Sequence, residues 1–137
     1  DTCCDLNQIQ AKLDACEGSQ LKIYNANSAT LLESLKIGCA GFSGVMANFH
    51  PELYAELVSI YKNDPAKAQK IQDFVGFFSV AECQCYPVNA KYYLSLEGLD
   101  INIDSRARNK AEFAPNRQME IQQMFELTKL YKENILK

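Results

Sequence analysis

The chain has 137 residues, 47% of them hydrophobic and 23% charged, with a net charge of −3. That length holds one domain or part of a larger one, and the composition is that of an ordinary soluble globular protein, which excludes a disordered chain. Acidic and basic residues are interspersed without the basic footprint of a nucleic-acid binder, and no stretch reaches the roughly 18 apolar residues of a membrane span.

Read in chain order, a helical stripe at Leu6, Ile9, Leu13 and Cys16 ends at Glu17-Gly18-Ser19. The short apolar run Leu21-Lys22-Ile23-Tyr24 then predicts a strand. A second helix follows, capped by Asn27 or Ser28 and carrying Leu31, Leu32 and Leu35, and the run Gly38 to Val45 predicts a buried strand. The order α, β, α, β implies an α/β protein with parallel strands and helical crossovers.

From His50 onward the pattern is helical, with no evident strand. Pro51 suits a first helical turn, and Leu53, Leu57, Ile60 and Tyr61 form a stripe that ends near Asn63-Asp64. Pro65 opens a helix with Ile71, Phe74, Val75 and Phe78 at spacings of three and four. Another runs from Pro87 through Tyr92, Tyr93 and Leu96 to a stop at Gly98. A polar loop with Arg106, Arg108 and Lys110, read as solvated surface, leads to Pro115 and a last long helix. Its inward residues are predicted to be Ile121, Met124, Phe125, Leu127, Leu130 and Tyr131. Residues 1–49 thus read as the last α/β units of a sheet protein and 50–137 as a helical continuation. Two parallel strands cannot serve four or five helices, because parallel sheets are buried on both faces, so the expectation is a chain incomplete as a folding unit.

The six cysteines, at positions 3, 4, 16, 39, 83 and 85, make no Cys-x-x-Cys pair. A chain of this size does not need disulfide staples, so they read as reduced thiols in a cytoplasmic protein. Cys83-Gln84-Cys85 is not a zinc spacing, since ligands one residue apart point apart, and no metal site is expected. The single histidine, His50, precedes a proline and reads as a residue that caps or packs at a helix start. The pairs Phe77-Phe78 and Tyr92-Tyr93 read as core or subunit contacts.

Several features occur in one order: the helix after Asp1-Thr2, the strand ending at Tyr24, the run Gly38-Cys-Ala-Gly-Phe-Ser-Gly-Val-Met-Ala-Asn48, the His50-Pro51 helix start and the Tyr86-Pro-Val-Asn-Ala-Lys91 helix start. That order resembles the C-terminal half of the dihydrodipicolinate synthase and N-acetylneuraminate lyase family, over nearly all of the chain. The resemblance implies the last part of a (β/α)8 barrel followed by a helical C-terminal extension. It also implies a lysine at the end of the sixth strand that forms a Schiff base with a 2-oxo acid such as pyruvate. Asp1-Thr2 resembles the segment that follows this lysine, which would then directly precede Asp1. The chain itself holds no catalytic residue on this reading, and no cofactor is required beyond the covalent lysine adduct.

What the chain would supply is the wall of the substrate pocket. Thr2 would offer its hydroxyl to substrate or loop, although a helix N-cap by Thr2 or Asp5 explains it equally. Asn25, Ala26 and Ser28 lie in the loop after the seventh strand. The sialic acid branch of the family has a glycine and an acidic pair there, against Ala26, Ser28 and Ala29 here, and a serine where this chain has Val45. These departures argue against N-acetylneuraminate. In the turn after the eighth strand, Ser43 would face the bound oxo acid and Gly44 would let the backbone approach it. The other reading is a glycine-punctuated strand that only packs, with Asn48 tying the loop to the following helix.

The resemblance therefore implies a class I aldolase or dehydratase acting on pyruvate-derived 2-oxo acids, with 2-oxo-3-deoxy sugar acids favoured and dihydrodipicolinate synthase as the alternative. A non-catalytic helical interaction module, or a family member without the lysine, is the reading from another class. A homo-oligomer, as a tetramer, with neither nucleic-acid nor membrane partners is the expected assembly.

Overall fold

The computed structural model describes residues 5–137, with the backbone alone for Glu82 and Cys83. Helix α1 spans Leu6–Ala15, and the Asp5 carboxylate caps it by accepting the Asn7 N–H at 2.8 Å. Asp5 thus performs the capping that Thr2 also offered; Thr2 lies outside the described residues. Ile9 is the buried residue of α1, which packs on α2 (Leu31–Lys36).

Strands β1 (Tyr24–Asn25) and β2 (Gly41–Phe42) pair in parallel, with α2 as the crossover, as the alternation of patterns predicts. Both are shorter than the apolar runs suggest. Leu21, placed in the strand by its hydrophobicity, is 72% exposed, and the pairing begins only where Ala40 N–H meets the Ile23 carbonyl at 2.8 Å. At the other strand, Gly38 and Cys39 still donate to the Leu35 and Ser34 carbonyls and so close α2. Gly38 has φ +118°, which favours glycine and lets the chain leave the helix. After Ser43-Gly44 the chain tightens into a 3₁₀ turn, Val45–Asn48, which ends the strand early.

The helical region has four α-helices among the described residues: α3 (Pro51–Ile60), α4 (Pro65–Phe78), α5 (Val88–Leu96) and α6 (Pro115–Ile135). Proline opens α3, α4 and α6, where its missing N–H costs nothing. Asp64 caps α4 by accepting the Lys67 N–H at 2.9 Å. One hydrophobic core joins both regions, with Leu31, Leu35, Met46, Phe49, Leu53, Leu57, Ile71, Val75, Val88, Tyr93, Ile121 and Met124 all buried. Each such side chain contributes roughly 1.5–3 kcal/mol of hydrophobic free energy on burial.

One expectation for α6 is overturned. Ile121, Met124 and Thr128 are its buried residues and Phe125 and Tyr131 pack half-buried against the core as expected, whereas Leu127 and Leu130 are 53% and 56% exposed. They stand on the adjacent face and line a groove of about 450 Å³ with Phe74, Phe77 and Phe78 of α4. The aromatic pairs split in the same way: Tyr93 is buried, edge-on to Phe49 and Phe125, while Phe77 lies at the surface. Cys16, Cys39 and Cys85 are free thiols. Among the described residues no helix is long and apolar enough to cross a membrane, and no group of three metal-binding side chains comes together.

Candidate functional site

Because β1 and β2 run parallel, the loops that leave them emerge at the same, carboxyl-terminal end of the sheet. Asn25, Ala26, Ser28, Ser43, Gly44 and Val45 therefore come together there. Their closest approach is at Gly44. A Cβ built on it would lie 2.4 Å from the Ala26 carbonyl oxygen and 2.4 Å from Cζ of the Phe42 ring. The backbone at Gly44 is extended, with φ −128°, so space alone demands glycine here. The Ser43 N–H donates to the Asn25 carbonyl at 2.8 Å and carries the ladder one residue beyond the strands.

The side chains divide into those that build the loop and those that face out. Asn25 is fully buried: its amide nitrogen donates to the hydroxyls of Thr30 and Ser34, both at 3.0 Å, and its oxygen accepts the Asn27 N–H at 2.8 Å. The Ser28 hydroxyl, also buried, lies 2.7 Å from the Tyr54 hydroxyl on α3. The helix start expected at Asn27 or Ser28 comes at Leu31. Thr30 is the capping residue by position but its side chain makes no cap, and the Asn27 amide oxygen accepts the Thr30 N–H at 3.2 Å instead. Ser43 is exposed, whereas Ala26 and Val45 are half-buried. Of the expected polar side chains at the strand ends, Ser43 is thus the one that faces out, Asn25 and Ser28 being buried.

Two residues outside the expected set hold this end of the sheet together. Tyr54 stacks on Phe42 with ring centroids 4.1 Å apart while its hydroxyl meets Ser28. Gln72 of α4 reaches the loop from the helical region: its Oε1 accepts the Leu32 N–H at 2.8 Å, and its Nε2 donates to the Ser28 and Ala29 carbonyls at 2.9 and 3.1 Å. A signal for Gln72 was present, since it falls on the Ala68, Ile71, Val75 stripe and is buried with it. A polar residue at a core position needs partners, although the sequence does not say which. Asn48 does not tie the loop to the following helix α3: its amide donates to the Val45 carbonyl of its own turn at 2.9 Å and to the Tyr86 hydroxyl, just before α5, at 3.4 Å.

Two hollows lie near this frame. A groove of about 350 Å³ runs beside the sheet, lined by Tyr24, Gly41, Phe42, Tyr54 and Val58. A larger cavity of about 550 Å³ lies away from the strand ends, between α3, α5 and α6, where Lys132 Nζ stands 3.0 Å from Glu52 and 3.9 Å from Glu97. Burial of the Glu97 carboxyl raises its pKa, an effect opposed by Lys132. That cluster ties three helices together.

The sequence profile of the Dihydrodipicolinate synthetase family matches residues 1–110. The chain belongs to this family. No curated protein sequence matches it. Among solved structures, it is similar to the 4-hydroxy-tetrahydrodipicolinate synthase of the thermoacidophilic methanotroph Methylacidiphilum fumariolicum SolV, with a TM-score of 0.72 and 18% identity. The match covers 98% of this chain and 46% of that one, so the chain spans about half the length of the synthase it resembles. At that identity the likeness speaks for the fold. The dihydrodipicolinate synthetase family match runs through the strand ends and α3–α5, and stops short of α6.

Proposed function

We propose that this chain forms the second half of a (β/α)8 barrel whose site lies at the carboxyl ends of its strands, with 1–49 as the closing barrel units and 50–137 as the last barrel helix and the helical extension. The reaction would be that of a Schiff-base lyase. A lysine amine, placed directly before Asp1, attacks the keto carbon of a pyruvate-derived 2-oxo acid and water leaves. The resulting iminium accepts the electron pair of the carbon–carbon bond being made or broken. No cofactor enters this chemistry. The observation that carries the reading is the convergence of Ala26 and Gly44 at the mouth of two parallel strands, in a chain of this family.

In this frame Thr2, Asn25, Ala26, Ser28, Ser43, Gly44 and Val45 form the pocket wall. The backbone of Ala26 and Gly44 and the Ser43 hydroxyl would face the substrate, and Asn25 and Ser28 would hold the wall from behind. A 2-oxo-3-deoxy sugar acid suits a wall of small polar groups without carboxylates. A 4-hydroxy-tetrahydrodipicolinate synthase activity is the second reading, supported by membership of the Dihydrodipicolinate synthetase family. The protein would act in the cytoplasm as a homotetramer.

The test is borohydride reduction of the complete polypeptide with pyruvate, followed by mass spectrometry. A reduced adduct on the lysine before Asp1 supports the reading, and a panel of 2-oxo acids then separates the two substrates. Absence of any adduct would leave a non-catalytic family member.

A further inference from the structure

Helix α2 begins without a cap from the Thr30 side chain, although the first N–H groups of a helix have no partners inside it. The Leu32 N–H is satisfied instead by Gln72, 40 residues later in the chain. The same amide donates both its hydrogens, to the carbonyls of Ser28 and Ala29. All three bonds go to backbone, and Gln72 is only 8% exposed.

One turn further along α4, Gly76 lets the helix come close to the same loop. A Cβ there would sit 3.1 Å from the Gln72 Nε2 and 3.5 Å from the Ala29 Cα, so even a methyl group would crowd the amide against its carbonyls. The loop thus held, residues 26–32, also carries the Ala26 carbonyl that closes on Gly44.

We infer that Gln72 is a positioning residue, through which the helical region sets the placement of the β1–α2 loop and thereby the wall that meets the part of the substrate remote from the Schiff base. This assignment rests on the proposed lyase reading for its kinetic consequence, and on geometry alone for the loop. A local serine or asparagine cap would complete the helix end as well, but it would not make the loop follow α4.

The experiment compares the complete polypeptide with Gln72→Met and Gln72→Glu by amide hydrogen exchange, pyruvate trapping and steady-state kinetics. Methionine keeps the volume and removes the three bonds. Exchange at 27–32 is expected to rise about tenfold while that of α3, α5 and α6 stays unchanged. The KM for a 2-oxo-3-deoxy sugar acid rises by about the same factor, with kcat and pyruvate trapping retained. Glutamate still accepts the Leu32 N–H, but its ionised carboxylate faces two carbonyl oxygens. Protonation restores a donor, so both defects of Gln72→Glu shrink from about pH 8 to about pH 5.5, a dependence that packing alone does not produce.

The assignment is overturned by Gln72→Met exchange that is unchanged at 27–32 or raised equally in every helix. A fall in kcat and trapping at constant KM, or a pH-independent Gln72→Glu defect, overturns it too. If the wild-type protein traps no 2-oxo acid, the lyase reading fails by itself, and the exchange measurement still decides whether Gln72 holds the loop.

Discussion

The Ser28 and Tyr54 hydroxyls lie 2.7 Å apart in the interior, joining the loop after β1 to helix α3. The Tyr54 ring is stacked at the same time on Phe42 of β2, so one side chain touches what leaves both strands. Tyr54→Phe preserves the stack and removes the hydroxyl, leaving the buried Ser28 without this partner. The expected cost is about 1–2 kcal/mol in urea unfolding. Ser28→Ala together with Tyr54→Phe should cost less than the sum of the two single changes. Strict additivity would mean that the contact contributes nothing.

Gly44→Ala tests the closest approach in the site. The added methyl meets the Ala26 carbonyl and the Phe42 ring, both at 2.4 Å, and backbone against ring leaves little room to yield. A loss of about 1–3 kcal/mol is expected from overpacking, together with slower pyruvate adduct formation as the wall shifts. Wild-type stability and trapping rate in the variant would show that the two loops are not pressed together.

Much of this arrangement was legible in the sequence, because it depends on local pattern. The apolar stripes place α1, α3, α4 and α5 to within a residue or two, and the α, β, α, β order implies the parallel pair. What was not legible depends on partners distant in the chain. Asn25 and Ser28 are polar loop residues next to a strand end, which reads as substrate contact; only the fold reveals that Thr30, Ser34 and Tyr54 occupy their hydrogen bonds. Leu127 and Leu130 continue an apolar pattern in α6 that the core does not use. Leu21 likewise has strand-like chemistry without a neighbour to pair with among the described residues.

Asn25→Ala distinguishes the frame of the loop from its surface. Removing the amide leaves the Asn27 N–H and the Thr30 and Ser34 hydroxyls each short of one bond, the Ser34 hydroxyl in a buried place and the other two half-buried. The expected cost is about 2–3 kcal/mol, read by denaturant unfolding, with faster amide exchange at Asn27. By contrast, Ser43→Ala, at an exposed side chain, should change stability by no more than about 0.5 kcal/mol. Equal costs at the two positions would contradict this division.

His50 gives the fold a dependence on pH. Its ring is fully buried, stacked on Tyr54 at 5.5 Å and edge-on to Phe74 and Phe78, and neither nitrogen has a hydrogen-bond partner among the described residues. Burial lowers its pKa from 6.5 to about 4; nearby Lys132 acts in the same direction and Glu52 against it. Between these two values the unfolded chain binds the proton that the folded chain refuses. Folding stability therefore rises with pH through this window and falls as the solution is acidified. The expected loss is roughly 2 kcal/mol from about pH 6.5 to about pH 5. His50→Phe fills a similar volume among the same rings and cannot charge. Its unfolding midpoint in urea should match or exceed that of the wild type near pH 7 and gain on it steadily toward pH 5. Parallel curves for the two proteins would mean that His50 protonates in the folded state as readily as in the unfolded one, and that acid sensitivity arises from the carboxylates instead.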